Sequence, residues 1–342
     1  MPHRKFAMAP AFAAALAFLS ASLGAAEPVV VYTSVDDVFA RPIVRAFEQQ
    51  TGIPIRLVPD TEETKSTGLL NRLLAERKRP RADVFWSGDP VRAAILKQRG
   101  ISEAYRSVQA AGIPSSFVDP QFHWTGFSAR VRVLLVNTRR MQPDRTPRSV
   151  LELADPRYRD RGCIANPLFG TTSMHAAALF QALGDAKARD FFEGMRNNGV
   201  RVLSSNGEVR RAVGAGECGF GVVDTDDAAE AVRDGLPVEV SYPDQDGIGA
   251  VLVPNAAVLI KDGPNPPGGR RFIDFLLSAE TEAALASGDA AQLPLRTGIP
   301  GPPGMVPVST LKTMKLDYSL LASQLETLSR GFLKAWVDSA RR

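Results

Sequence analysis

Histidine and cysteine are almost missing from this chain. Of 342 residues, three are His and two are Cys. His3 falls in the N-terminal leader, so any imidazole chemistry would rest on His123 and His175. No His-Glu-x-x-His zinc pattern occurs, and no Cys-x-x-Cys or Cys-x-x-His spacing that would hold a metal. A Gly-x-Ser-x-Gly nucleophile elbow is absent, and so is the Gly-x-x-x-x-Gly-Lys-Ser/Thr phosphate loop. The carboxylates are scattered and cannot be paired into an acid/base couple from their spacing. The chain is therefore expected to be no enzyme and to need no cofactor. Beyond the leader there is no apolar run long enough to span a bilayer. The formal charge is only +4 and belongs partly to the leader. The Arg residues are spread out and do not alternate with aromatics, which argues against nucleic acid as a partner.

The leader itself is informative. Met1-Pro-His-Arg-Lys5 is basic, the run from Phe6 to about Leu23 is apolar and rich in Ala, and Gly24-Ala25-Ala26 supplies small residues where a signal peptidase reads. This layout predicts a secretory signal cleaved after about Ala26, rather than a retained anchor. No Cys follows the apolar run, so a lipoprotein attachment point is not expected. Removal of the signal leaves about 316 residues, enough for two lobes of ordinary domain size.

Behind the signal, short β-rich runs alternate with amphipathic stretches. Val29-Val-Val-Tyr-Thr33 predicts a strand, Val38 to Thr51 a helix, and Ile53 to Val58 a second strand. Ala82-Asp-Val-Phe-Trp86 and Val131 to Asn137 read as further strands, and Val91 to Arg99 as a helix stopped by Gly100. This alternation predicts an α/β fold with mostly parallel sheets, and such sheets place ligands at the carboxyl ends of their strands. Two segments look like crossings between lobes, His123-Trp-Thr-Gly-Phe-Ser128 and Tyr242-Pro-Asp-Gln-Asp-Gly-Ile-Gly249. The expected organisation is a signal at 1–26, a first lobe at 27–128 and 247–299, a second lobe at 129–246, and a helical tail at 300–342.

Four polar corners follow strands and precede helices. The first is Thr33-Ser34-Val35-Asp36-Asp37, with Ser34 as an anion contact and an Asp as a helix cap. The second is Trp86-Ser87-Gly88-Asp89, where Ser87 and Gly88 suit a hydroxyl and backbone contact. The third is Asn166-Pro-Leu-Phe-Gly-Thr-Thr-Ser173. Gly170 permits close backbone approach there, and Thr171, Thr172 and Ser173 add hydroxyls beside the unpaired N–H groups of a helix start, a combination suited to an anion. Ordinary capping explains the same residue types. The fourth is Asp224-Thr225-Asp226-Asp227. Its three carboxylates repel one another unless a cation sits among them, either a hard metal or a ligand ammonium, although one of them is expected to cap the following helix. Ser128, at the first crossing, is a further candidate contact, and Arg130 beyond it either faces an anion in a cleft or lies on the surface. Cys163 and Cys218 each open an apolar segment. If those segments are neighbouring strands, the two thiols could meet, and in an oxidising compartment a disulfide becomes plausible.

The order and spacing of several segments resemble the periplasmic solute-binding proteins that feed ATP-driven importers, in the branch that contains the ferric-ion-binding proteins. The carriers are Val31-Tyr-Thr-Ser34, Ala46-Phe-Glu-Gln-Gln-Thr-Gly52, Ala82-Asp-Val-Phe-Trp86 and Ser149-Val-Leu-Glu-Leu-Ala-Asp-Pro-Arg-Tyr158. Near the end they are Phe272-Ile-Asp-Phe-Leu-Leu-Ser278 and Gln292-Leu-Pro-Leu-Arg296. The resemblance implies a two-lobed, type II-like periplasmic-binding-protein fold with the ligand cleft at the hinge. It also implies a monomer that hands its ligand to an ABC permease and its ATPase subunit. The Gly170–Ser173 turn matches the family's anion-binding helix start. Asp224, Thr225 and Asp226 stand where ferric binders of this type carry adjacent tyrosines, so the phenolate signature is gone. The resulting expectation is a small anionic or zwitterionic solute, such as an aminophosphonate. Its acidic group would lie at Thr171–Ser173 and its ammonium at Asp224 or Asp226. The close rival is Fe³⁺ as transported ligand, held with a synergistic anion and with Asp224 and Asp226 as metal ligands. A secreted metal-assisted phosphoesterase built on the Asp cluster, and a binding module serving a sensor, are the more distant alternatives.

Overall fold

A computed structural model describes residues 26–60 and 66–340, together with Met1. The signal segment, apart from Met1 and Ala26, lies outside the described residues. No helix among the described residues is long and apolar enough to cross a membrane.

The first half of the chain builds β1 (Val29–Thr33), α1 (Asp37–Thr51), β2 (Ile55–Pro59), α2 (Thr67–Ala75), β3 (Val84–Ser87), α3 (Pro90–Gln98) and the short β4 (Ser102–Glu103). β1 has the bounds its sequence predicts. α1 buries Ala40, Ile43, Val44 and Phe47 on one face. It ends at Gly52, whose φ of 68° lets its N–H reach the Glu48 carbonyl, a left-handed cap that favours glycine. β2 and β3 both lie parallel to β1.

The long β5 (Thr125–Asn137) leads into β6 (Gly162–Ala165), α4 (Gly170–Leu183), α5 (Asp185–Asn197), β7 (Arg201–Leu203), α6 (Asn206–Gly214), β8 (Phe220–Asp224), α7 (Thr225–Arg233) and β9 (Val238–Ser241). The chain returns through β10 (Leu252–Ile260), followed by α8 (Pro266–Leu276), α9 (Ala279–Ser287), α10 (Tyr318–Arg330) and α11 (Phe332–Ala340). The strand order is β2-β1-β3-β10-β5-β8-β6-β7, with β4 on β10 and β9 on β5.

Two features refine the sequence expectation. The parallel sheet holds for β2-β1-β3 and for β8-β6-β7, but the strands that cross between them run antiparallel to their neighbours. The strand through the first crossing is also longer than its sequence predicts. Thr125, Gly126 and Phe127 pair with Ala257, Ala256 and Asn255, so β5 begins six residues before Val131 and runs unbroken through both halves. Crossing strands that bridge two parallel blocks give each block a mixed edge without leaving either edge unpaired. At the crossing, Ser128 has φ 36° and the β5–β10 register shifts between Pro254 and Asn255.

Helices cover both faces of the sheet. One apolar cluster gathers α2, α3, α4, α5, α10 and α11; the other gathers α1, α6, α7, α8 and α9. The helical tail is integral to the first cluster. Trp336 stacks edge-on against Phe192 at 5.2 Å, and its Nε1 donates to the Phe192 carbonyl at 2.7 Å. Tyr318 meets Trp124 at 5.5 Å. The tail thus touches Trp124, beside the first crossing, and α5 in the second block.

Candidate ligand-binding site

The carboxyl ends of β1, β3, β6, β7 and β8 converge on one cavity. Its wall includes Ser34, Asp36 and Gly88 from the first block. Asn166, Gly170, Thr171, Thr172, Ser205, Asn206, Asp224, Asp226 and Asp227 come from the second, and Arg130 reaches in from the crossing strand. The helices α4, α6 and α7 all begin at this wall. Each helix start offers N–H groups with no partner inside the helix and the positive end of a peptide dipole.

Gly170 opens α4 with φ 53°, a conformation that a side chain resists. The hydroxyls that follow are committed to a buried network rather than to the cavity alone. Arg132, fully buried, donates from Nη1 to Asp224 Oδ1 at 2.8 Å and to Thr171 Oγ1 at 3.1 Å, and from Nη2 to Thr172 Oγ1 at 3.2 Å. Thr171 in turn donates to Asp224 Oδ2 at 2.8 Å, and Asn206 Nδ2 donates to Thr171 Oγ1 at 3.1 Å. Arg132 and Asp224 are direct cross-strand partners in the β5–β8 register. A single ion pair therefore ties together the starts of α4, α6 and α7. Burial works against the Asp224 charge, but the Arg132 and Arg130 guanidinium groups override it and hold the carboxyl below the usual carboxylate range.

Arg130 lies two residues before Arg132, on the same face of the strand. Its Nη1 sits 3.7 Å from Asp224 Oδ2 and its Nη2 donates to the Gly88 carbonyl. Its Nε is buried and has no partner among the described residues. Burial opposes its charge, while Asp224, Asp226, Asp36 and Asp89 reinforce it and raise its basicity. Behind the wall, His175 is buried, and burial together with the Arg132 charge lowers its pKa to about 3. It is neutral at any physiological pH.

Of the sequence candidates, Ser34, Gly88, Gly170, Thr171, Thr172, Asp224 and Asp226 line the cavity. Ser87, Ser128, Ser173 and Thr225 do not. The Ser87 hydroxyl donates to the Asp89 carbonyl at 2.6 Å, shaping the turn that lets Asp89 cap α3. Ser128 is held at the crossing, its N–H donating to Glu282 at 3.1 Å. Ser173 accepts from Arg92 Nη2 at 2.6 Å and donates to the Gly170 carbonyl at 2.7 Å, so it joins the two blocks instead of facing the cavity. Thr225 Oγ1 accepts from the Val131 N–H at 3.2 Å. Cys163 and Cys218 are buried free thiols in this structure.

Sequence reasoning missed Ser205 and Asn206 as wall residues and Arg132 as their organiser. Ser204-Ser205-Asn206 is a further polar corner between a strand and a helix. It escaped because β7 has only three residues and leaves little strand signal. None of the five tyrosines lines the cavity. Tyr32 bonds Glu76, Tyr105 bonds Asp274, Tyr242 accepts from Val306, Tyr158 packs on Phe220 and Tyr318 on Trp124. Asp224, Asp226 and Asp227 bring carboxylate oxygens within 4.8 Å of one another.

Residues 79–318 match the family described as bacterial extracellular solute-binding proteins. The chain belongs to that family. Relatives include iron uptake protein A1 of Synechocystis, 27% identical over 74% of this chain and 72% of that protein. The major ferric iron-binding protein of Neisseria meningitidis is 24% identical over 90% and 94%. Among solved structures, iron-bound HitA from Pseudomonas aeruginosa superposes with TM-score 0.80 at 23% identity, covering 89% of this chain and 98% of that one. AfuA from Actinobacillus pleuropneumoniae, with fructose-6-phosphate bound, also superposes with TM-score 0.80, at 24% identity over 92% and 98%. The fold of this solute-binding protein is accordingly the two-lobed one of periplasmic binding proteins.

Proposed function

We propose that this solute-binding protein is exported to the periplasm, where it captures a small ligand carrying both an anionic and a cationic pole. It then delivers that ligand to an ABC permease and its ATPase. The observation that carries the reading is the mixed charge of the cavity lining. It holds the starts of α4 and α6 and Arg130, whose Nε has no partner among the described residues. It also holds Asp36, Asp226 and Asp227, while Asp224 is already paired with Arg132. A simple anion adds negative charge to this carboxylate-rich lining. A zwitterion such as an aminophosphonate satisfies both kinds of group, with charge-assisted hydrogen bonds at each end. The ligand contacts residues of both lobes, so binding favours the closed arrangement about the β5 and β10 crossings. No bond is made or broken, and the protein acts as a carrier.

The second reading is ferric iron with an accompanying anion, favoured by the three clustered carboxylates and by what the relatives' names say they bind. In it Asp226 and Asp227 supply hard oxygen donors and the anion occupies the α4 start. Asp224 is a poor third donor, because Arg132 and Thr171 already hold its two oxygens.

Calorimetry on the purified chain separates the two. Aminoethylphosphonate is expected to bind at least tenfold more tightly than inorganic phosphate, and Asp226→Asn is expected to remove that advantage. Equal affinity for the two probes would overturn the zwitterion reading. Binding of Fe³⁺ with phosphate or carbonate, and of neither organic probe, would establish the second.

A further inference from the structure

We infer that Cys163 and Cys218 close an intramolecular disulfide in the exported protein, pinning the strand pair that carries two walls of the cavity. The inference rests on the export proposed above. Cys163 lies on β6, opposite Gly221 of β8 on one side and Arg201 of β7 on the other. Its Sγ is 3.6 Å from the Phe220 carbonyl and points toward the α6 side of the sheet, where Val209, Ala212 and Val213 pack. Cys218 lies in the turn that feeds β8, its N–H held by the Ala212 carbonyl at 3.2 Å. Both thiols are buried on that same side, and Arg201, the strand partner of Cys163, places its guanidinium against the Cys218 sulfur. Gly221 leaves them room, since a Cβ there would fall 3.0 Å from the Cys163 sulfur.

The chemistry is a two-step exchange with a protein or small-molecule disulfide as oxidant. Arg201 Nη1 stands 3.8 Å from the Cys218 sulfur. The Cys163 thiol, against burial, and then Arg201 draw the Cys218 thiol below its ordinary range, whereas burial holds Cys163 above it. Cys218 is thus the thiolate that attacks the oxidant's disulfide and releases one of its sulfurs as a thiol. Cys163 then loses its proton and attacks the Cys218 sulfur, releasing the second. One disulfide forms in the chain, one is consumed, and the oxidant leaves as two thiols. The ring closed spans residues 163 to 218 and contains α4, α5, β7 and α6. It therefore fixes the starts of α4 and α6 relative to β8.

The test counts thiols by mass. Protein taken from the exported fraction is denatured in excess N-ethylmaleimide before any reductant is added. No adduct is expected without reductant and two are expected after it, and the same spectrum shows whether the leader has been removed. Two adducts on a processed chain would overturn the disulfide and leave the export reading standing. An unprocessed chain would count against export, and a second arm then decides the disulfide by itself. In that arm the reduced, folded chain is treated with oxidised glutathione. A loss of two hydrogens is expected, while two persistent free thiols or a lasting glutathione adduct would overturn the inference. Reduction is expected to lower the melting temperature by about 5–10 °C, and a Cys163→Ala, Cys218→Ala chain is expected to be insensitive to reductant.

Discussion

Replacing Asp224 by Asn tests whether the Arg132–Asp224 pair is the keystone of the cavity wall. Arg132 is wholly buried, and Asp224 is the carboxylate it pairs with at 2.8 Å. Removing one member of a buried pair strands the other charge, at a cost of about 3–5 kcal/mol. Asn keeps the shape of Asp, and the guanidinium retains Thr171, Thr172, Asn206 and the Val222 carbonyl as neutral acceptors. The low end, about 3 kcal/mol, therefore applies. At roughly 2–4 °C per kcal/mol for a domain of this size, the melting temperature falls by about 6–12 °C. Arg132→Met is expected to cost a similar amount for the converse reason. The double variant leaves no unpaired charge at position 132, although Arg130 still loses its 3.7 Å contact with Asp224; it should lose less than the sum, with a coupling of up to about 3 kcal/mol in a double-mutant cycle. The pH dependence supplies an independent reading. The folded carboxyl titrates below its unfolded value of about 3.9. Its stabilisation is thus complete above that value and is lost as pH falls through the folded pKa. The wild-type chain should show this loss below about pH 4, and Asp224→Asn should lack it. Additive single variants, or an acid limb unchanged by Asp224→Asn, would refute the keystone argument.

Three further outcomes follow from the same geometry. Arg130→Gln should weaken binding of an anion-bearing ligand by at least tenfold in calorimetry, with a smaller effect on melting than Arg132→Met, because Arg130 faces the cavity. Arg92→Ala should enlarge the ligand-free protein's radius of gyration in small-angle scattering, because Arg92 on α3 bridges to Ser173 and the Gly170 carbonyl across the cleft; an unchanged radius would remove Arg92 as a latch. His175, whose folded pKa of about 3 lies far below its unfolded value, contributes stability that is complete above about pH 6.5 and declines as pH falls from there; in denaturant melts between pH 6.5 and 4.5 the wild-type chain should lose about 2–3 kcal/mol more than His175→Gln.

The strands and helices were legible wherever burial and periodicity agree. Val29–Thr33 is an apolar run closed by a Thr, and it appears with those bounds. The polar corners were legible as well, since strand ends beside helix starts are where α/β sheets put ligands. What could not be read was how each hydroxyl is spent. Ser87, Ser173 and Thr225 have the same local pattern as Ser34 and Thr171, but they point away from the cavity, Ser87 to the Asp89 carbonyl within its own turn, Ser173 to Arg92 and Thr225 to the Val131 N–H, whereas Ser34 and Thr171 are hydrogen-bonded yet still line it. Arg132 was invisible for a related reason. In Val131-Arg-Val-Leu-Leu-Val136 it looks like a solvent-facing residue of a half-buried strand. Only the β5–β8 register, which sets it opposite Asp224, explains a buried guanidinium there.

On the proposed reading, the same register couples capture and closure in one strand. β5 is the crossing between the lobes, and it is also the strand that brings Arg130 and Arg132 to the cavity. Arg132 belongs to the second lobe through Asp224, whereas Arg130 grips the first through the Gly88 carbonyl. A bend at Ser128, where φ is already positive and Asn255 Nδ2 donates to the Ser128 carbonyl at 3.1 Å, carries Gly88 away from Arg130. An anion at Arg130 Nε adds to the attraction only while both lobes surround it. On the proposed reading the ligand favours the closed state through the residue that links the lobes. Asp36 and Asp226 already lie close enough to Arg130 to raise its basicity, so an anion at Arg130 competes with them, whereas a ligand that also carries a cation does not. On that reading, discrimination comes from repulsion as much as from contact.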